Sequence, residues 1–143
     1  MRDLRSTIVE MHGFVDNEFL EQYCTLVERH RRTTKQARVT NAHHIIPRSW
    51  FDINKKEVDN SLSNLVNLPY REHVLAHYYL CLCTTGKLQY ANQLAFFCLL
   101  TRKKKMNVVE KQLVHKLPMY NIIYESYCNN LKTKYSNYSE DPS

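Results

Sequence analysis

Residues 43–47 read His-His-Ile-Ile-Pro and residues 73–77 read His-Val-Leu-Ala-His, so four of the seven histidines stand in two short segments. The histidines of the second segment are four positions apart, which on a helix places both side chains on one face. Two imidazoles at this spacing can bind one metal ion, and His43 is the predicted third ligand. His44 then remains as a base, because a neutral imidazole with a pKa of about 6.5 can take a proton from water.

A lone His-x-x-x-His pair is weak evidence for a metal site, since most such pairs are incidental. Here His73 and His77 lie among apolar and aromatic residues, where an unpaired buried imidazole is costly and a metal ion would satisfy both rings. Imidazole ligands suit Zn, Ni, Mn or Cu better than Mg, and three protein ligands with one open position are typical of a catalytic ion. The adjacent Glu72 is interpreted as a solvated side chain or as one that lies outside the set of direct metal ligands.

The adjacent positions of His43 and His44 pose a geometric question. In an ideal strand, neighbouring side chains point to opposite faces of the sheet. Both rings can therefore serve one site only if the backbone is distorted there or if the site lies at the end of the strand.

The composition favours a mainly helical chain. Two glycines and four prolines in 143 residues argue against a turn-rich β-sandwich, and the length predicts a single domain over residues 1–143. Short strands are predicted over residues 39–46 and 65–68, separated by a long polar loop over residues 48–63. The predicted fold class is therefore α+β, mainly helical.

Helices are predicted on both sides of the two strands. Apolar residues recur near a 3.6-residue period over residues 16–32, and Asp16 is placed to cap the start of that helix. Pro69 suits the first turn of a helix running to about Cys83, with Gly86 as its C-terminal cap. The further predicted helices span residues 88–100, 108–115 and 118–127.

The formal net charge of +6 favours a polyanionic partner. Basic side chains cluster over residues 30–38, which lead into the histidine pair, and over residues 102–105. A solvated charged surface is the alternative for either run. The position of the first run favours phosphate contacts.

Several features predict a cytoplasmic protein. No stretch is apolar enough to span a bilayer, and no apolar segment follows the charged N-terminus, so neither a membrane span nor a secretory signal is expected. Five cysteines with no Cys-x-x-Cys pair predict small buried side chains, although a cysteine-bound structural zinc stays open.

The two histidine segments, with Asn64-Leu65-Val66-Asn67-Leu68 between them, resemble the motif of the HNH endonucleases, also known as His-Me finger nucleases. The similarity is greatest to the small HNH proteins of phages and prophages. The three letters of the family name correspond to His44, Asn64 and His73. The motif covers residues 43–77, about a quarter of the chain.

The resemblance implies a ββα-metal core over about residues 38–84, with helical extensions over residues 1–37 and 85–135. It implies hydrolysis of phosphodiester bonds in DNA, by nicking or by cutting both strands. It also implies the cytosol of a host cell as the location, if the chain is phage-encoded.

The resemblance further assigns roles to the motif residues. One divalent metal ion (Zn, Ni, Mn or Mg) would be bound by His43, His73 and His77. His44 would act as the general base. Asn64 would orient the loop that holds His44, through hydrogen bonds to the backbone across the gap.

Cationic side chains near the motif are candidates for binding the nucleic acid, and they are Lys35, Arg38, Arg48 and Arg71. Trp50 and Phe51 either stack on bases or cover the small core. Many relatives carry an acidic residue before the histidine pair, where this chain has Ala42. This departure removes no proposed catalytic group. It is expected to affect the geometry of the loop and the choice of substrate.

Two other functions fit the same sequence. One is a non-catalytic module for nucleic-acid binding or assembly that keeps the metal fold for stability. The other is a toxin-like nuclease that acts on RNA or is controlled by a partner protein. A homodimer is also open, because a monomer with one site would nick one strand whereas a two-fold dimer could cut both.

Overall fold

The computed structural model describes residues 4–9, 13–32, 40–101 and 116–139 of the chain. Within these residues the protein is mainly helical, with one small antiparallel sheet, as predicted for an α+β chain. The elements in chain order are α1 (Leu4–Val9), α2 (Glu18–Arg32), β1 (Thr40–His44), α3 (Arg48–Ile53), β2 (Leu65–Pro69), α4 (Tyr70–Leu82), α5 (Gly86–Leu100) and α6 (Tyr120–Ser139). The helix predicted over residues 108–115 lies outside the described residues.

The two predicted strands form one hairpin, and helix α4 follows it directly. β1 pairs antiparallel with β2, with His43 opposite Val66 and His44 opposite Leu65. Pro69 was expected inside the first helical turn, but it ends β2 and precedes the helix with φ −56° and ψ 154°. Proline fits this junction because it has no backbone N–H to donate and its ring fixes φ.

The prediction of a continuous loop over residues 48–63 is wrong. Its first part is the short helix α3, and residues 62–64 form a 3₁₀ turn. Trp50 and Phe51 are buried there with their rings edge to face, and the Lys56 amine lies over the indole. Burial of two large aromatic side chains stabilises a helix that the polar composition of the segment conceals. The two rings therefore belong to the core and are not free to stack on bases.

The start of α2 is capped one residue later than predicted. Asn17, not Asp16, accepts hydrogen bonds from the backbone N–H groups of Phe19 and Leu20, at 3.0 and 3.1 Å. Asp16 instead forms an ion pair with Arg5 of α1. Asparagine and aspartate are equivalent as helix caps, so the pattern alone could not decide between neighbours.

Gly86 was expected to cap the end of α4, and this is also wrong. The helix ends at Leu82, and Gly86 opens α5 with a φ of +62° that suits glycine. The turn between the two helices pairs with the segment before α2, where the Val15 N–H donates to the Cys83 carbonyl at 2.7 Å. The last helix begins at Tyr120, two residues after Pro118, and extends well beyond the predicted end at 127.

The interior has two hydrophobic clusters. The hairpin core joins α1, α2, the hairpin, α3 and one side of α4, and its fully buried members include Leu20, Tyr23 and Leu68. The aromatic core lies between α4, α5 and α6 and is centred on Phe96. Both histidine segments contribute buried side chains to the hairpin core, so its packing helps to set their positions.

Three of the cysteines are buried as predicted, namely Cys24, Cys81 and Cys83, whereas Cys98 is exposed and Cys128 is half-buried. Burial raises the pKa of the Cys83 thiol to about 12. Across the part of the chain that the structure describes, no helix combines the length and apolarity needed to cross a membrane.

Candidate metal centre and its cleft

Three of the four motif histidines converge at one point between the hairpin and α4. His43, His73 and His77 each offer a ring nitrogen, and these three atoms all lie within 4.8 Å of one another. The ring centroid of His43 lies 5.2 Å from that of His73 and 5.1 Å from that of His77. The predicted ligands are therefore close enough to hold one metal ion.

Helix α4 sets the distance between two of these rings. The Nε2 atoms of His73 and His77 are 3.1 Å apart, as expected for side chains one helical turn apart on one face. Zinc–nitrogen bonds of 2.0–2.1 Å at a tetrahedral angle would place two ligand nitrogens about 3.3 Å apart. The helix thus presents two nitrogens at nearly the separation that one small cation requires.

Strand β1 supplies the third ring and a support for the second. Asn41 and His43 are two positions apart in the strand, so they lie on one face of the hairpin. The Oδ1 atom of Asn41 lies 3.3 Å from Nδ1 of His73. A carboxamide oxygen only accepts, so in a neutral His73 ring the proton lies on Nδ1 and Nε2 keeps its lone pair for a metal.

Helix α2 contributes a residue that the sequence did not reveal as part of the site. The Tyr23 hydroxyl lies 2.8 Å from Nε2 of His43 and 2.6 Å from the Ile45 carbonyl oxygen. Tyr23 is fully buried, and the helical periodicity placed it on the apolar face of α2 without a polar role. The signal is weak in the sequence because Tyr23 precedes His43 by twenty positions.

The surroundings keep two of the three rings uncharged. Burial, followed by the neighbouring rings of His77 and His73, lowers the pKa of His43 well below its usual range. Burial and the ring of His73 lower the pKa of His77 to about 3. Both rings are therefore neutral near pH 7, which is the form that binds a metal.

His44 contacts a different segment from His43. Its Nε2 atom lies 2.7 Å from Oδ1 of Asn60, in the loop between α3 and the 3₁₀ turn. His44 is the last residue of β1, and both histidines line one cleft of about 310 Å³. Because the cleft lies at the end of the strand, two neighbouring residues can both line it. This is one of the two arrangements expected from the sequence.

Asn64 is buried and ties the end of β1 to this loop. Its Oδ1 accepts from the Ile46 N–H at 2.8 Å, and its Nδ2 donates to the Asp59 carbonyl at 2.9 Å and to the Ile46 carbonyl at 3.3 Å. The Asn64 carbonyl also accepts from the Ile45 N–H at 2.9 Å. These bonds fix the backbone on both sides of the His44–Asn60 contact.

The predicted nucleic-acid contacts are placed unevenly. Arg48 is exposed, begins α3 and lines the cleft together with Ser49. Arg71 is exposed on α4 but does not line this cleft. Lys35 and Arg38 lie outside the described residues, as does the basic run over residues 102–105. Only Arg48 of the four is therefore brought to the site within the described chain.

The residues present fit a divalent cation. Three imidazoles converge, and the Nε2 atoms of His73 and His77 face each other at 3.1 Å. Metal-bound histidine commonly uses one nitrogen for the ion and the other for a hydrogen bond, as His43 and His73 are set to do. The donor set suits a borderline cation such as zinc, nickel or copper.

Comparison of the chain with protein-family models, with curated proteins and with solved structures gives no match.

Proposed function

We propose that the protein is a metal-dependent endonuclease of the HNH kind that hydrolyses phosphodiester bonds in DNA. The observation that carries the proposal is the convergence of three metal-competent histidines with a fourth histidine on the same cleft. The order of hairpin and helix around them is compatible with a ββα-metal core. The motif resemblance supplies the reaction class.

His44 is the proposed general base. Since the Asn60 oxygen only accepts, the proton of a neutral His44 resides on Nε2, and Nδ1 keeps the lone pair that can take a proton from an attacking water. General-base help of this kind is typically worth roughly 10²–10⁴ in rate. The bonds of Asn64 hold the backbone that carries both partners, so Asn64 acts as a positioning residue.

A bound divalent ion would act as a Lewis acid on the phosphate and stabilise charge on the leaving oxygen. His43, His73 and His77, which line the cleft, would hold it. Arg48, which is exposed and lines the cleft, would attract a phosphate and stabilise its developing charge. The net charge of +6 favours binding to the phosphate backbone of the nucleic acid, with an affinity that falls steeply as salt is added.

The decisive experiment is a nicking assay on supercoiled plasmid with Mg²⁺, Mn²⁺, Ni²⁺ and Zn²⁺ in separate reactions. The wild-type protein is expected to relax the plasmid, and His44→Ala is expected to lower the rate by roughly 10²–10⁴ while metal binding persists. Gln22→Ala is the control, because Gln22 is exposed on α2, outside both the cleft and the basic run.

Metal binding without cleavage in any reaction would overturn the proposal and favour a binding or assembly module. A parallel arm with single-stranded RNA tests the substrate. Cleavage of RNA with an intact plasmid would replace DNA by RNA as the substrate class.

A further inference from the structure

We propose that Tyr23 is a positioning residue of the metal centre, which fixes the His43 tautomer so that this ring binds the ion through Nδ1. His73 and His77 bind through Nε2, so the centre has mixed nitrogen ligation. The inference rests on the metal centre of the proposed function. It adds a residue from α2, which lies outside the histidine motif.

The assignment follows from counting protons at one buried oxygen. A tyrosine hydroxyl has one hydrogen, and the Ile45 carbonyl oxygen at 2.6 Å can only accept it. The second contact, at 2.8 Å, joins the same hydroxyl to Nε2 of His43. Since the hydroxyl hydrogen is already used, Nε2 must be the donor, and it carries the proton of the neutral ring.

The consequence falls on the other ring nitrogen. A neutral imidazole has one protonated nitrogen and one lone pair, so His43 keeps its lone pair on Nδ1. The opposite holds for His73, whose Nδ1 donates to Asn41. The supports on α2 and β1 thus set two neighbouring rings in opposite tautomers before any ion binds.

Burial makes this arrangement rigid. Tyr23 is fully buried, His43 is 3% exposed, and their rings pack edge to face at 5.9 Å between centroids. No water is needed to complete the chain of bonds from His43 through Tyr23 to Ile45. Groups that orient a metal-bound histidine in this way typically contribute 10–100-fold to metal affinity.

The test is a long-range ¹H–¹⁵N correlation spectrum of the histidine rings in the full-length protein, with chelator and then with Zn²⁺. The metal-free protein is expected to show His43 protonated at Nε2 and His73 protonated at Nδ1. Zinc is expected to shift Nδ1 of His43 and Nε2 of His73 and His77. Zinc bound through Nε2 of His43, or no shift on these rings, would overturn the proposal.

Tyr23→Phe removes the hydroxyl and keeps the ring. It is expected to lower zinc affinity, measured by competition with a chelating dye, by roughly 10–100-fold and to introduce the second His43 tautomer into the spectrum. Tyr70→Phe is the matched control, because the Tyr70 hydroxyl donates to the Leu99 carbonyl in the aromatic core. That variant is expected to leave both readouts unchanged.

An unchanged zinc affinity in Tyr23→Phe would contradict the positioning role. If Tyr23→Phe does not fold, the wild-type spectrum alone still decides the tautomer and the bound nitrogen. None of these measurements uses nucleic acid. A protein with the expected ligation and no cleavage would therefore refute the nuclease proposal and leave this one standing.

Discussion

The hairpin region and the aromatic core bury their side chains by different means. Around the hairpin, buried polar groups meet specific partners, as Asn64 does with Ile46 and His43 does with Tyr23. In the aromatic core, where Tyr70 makes one such hydrogen bond, the central Phe96 packs on the rings of Tyr78, Phe97 and Tyr120. Hydrogen bonds to buried polar side chains fix the positions of those side chains, whereas the packing of apolar rings mainly contributes to stability. The difference indicates which substitutions should affect binding and which should affect folding.

The largest expected effect is on stability in the aromatic core. Phe96→Ala should lower the free energy of unfolding by about 3–5 kcal/mol, because it leaves a cavity among fully buried rings. Urea denaturation measures the loss. The milder Phe96→Leu variant should keep the zinc affinity of the wild-type protein, and a tenfold loss there would contradict the separation of the two regions.

The largest effect on binding should come from His73→Ala. Loss of one of three ligands should weaken zinc binding by more than about 100-fold, since removal of a mere outer partner already costs 10–100-fold. The metal-free protein should keep most of its stability because the ring is only half-buried. Competition with a chelating dye checks the affinity, and unaltered zinc binding would show that the three rings do not form the site.

Asn64→Ala should lower the stability of the hairpin region. It removes three hydrogen bonds and leaves the buried Ile46 N–H without its acceptor, which should cost about 2 kcal/mol. Asn67→Ala, at an exposed position of β2, is the matched control and should change stability by less than about 0.5 kcal/mol. Equal stability of the two variants, measured by denaturation, would contradict the inference that the Asn64 side chain stabilises the junction between the hairpin and its loop.

Acid should weaken the metal-free hairpin region. His43 and His77 have lowered pKa values in the folded protein, so below pH 6.5 the unfolded chain takes up protons that the folded chain excludes. Stability is then complete above about pH 6.5 and falls towards pH 3, by about 1 kcal/mol per histidine between pH 6.5 and 5.5.

Denaturation in chelator at several pH values tests this sign. His77→Gln should reduce the slope, because it removes one of the two groups. In the aromatic core, burial raises the pKa of Tyr78 and Tyr120, so these rings stay neutral over the same range. Stability that increases on acidification would contradict the prediction.

The smallest expected effect is on the proposed base. Asn60→Ala removes the acceptor for His44 Nε2 at an exposed position, so stability should be unchanged. The plasmid-nicking rate should fall about tenfold, which corresponds to about 1.4 kcal/mol, the scale of one hydrogen bond to a group that becomes charged. A fall as large as that of His44→Ala would mean that Asn60 itself takes part in the chemistry.

The sequence allowed the hairpin and the three metal-competent histidines to be predicted, because spacing along a helix and alternation along a strand are local rules. It did not reveal α3, since Trp50 and Phe51 are fixed by contacts with distant residues and stand in a polar stretch. Tyr23 and Asn60 were missed for a similar reason. Each acts through one atom placed by the tertiary fold, and periodicity describes a tyrosine on an apolar face only as core.

The alternation of β1 has a consequence for how such a chain can vary. His43 and His44 are neighbours in one strand, yet one meets Tyr23 and the other meets Asn60. Shifting the strand by one residue would exchange the two sides of the hairpin and move every side chain to the wrong environment. A point change at Thr40, the first residue of β1, should therefore be tolerated far better than a one-residue insertion or deletion, which would disrupt both halves of the site at once.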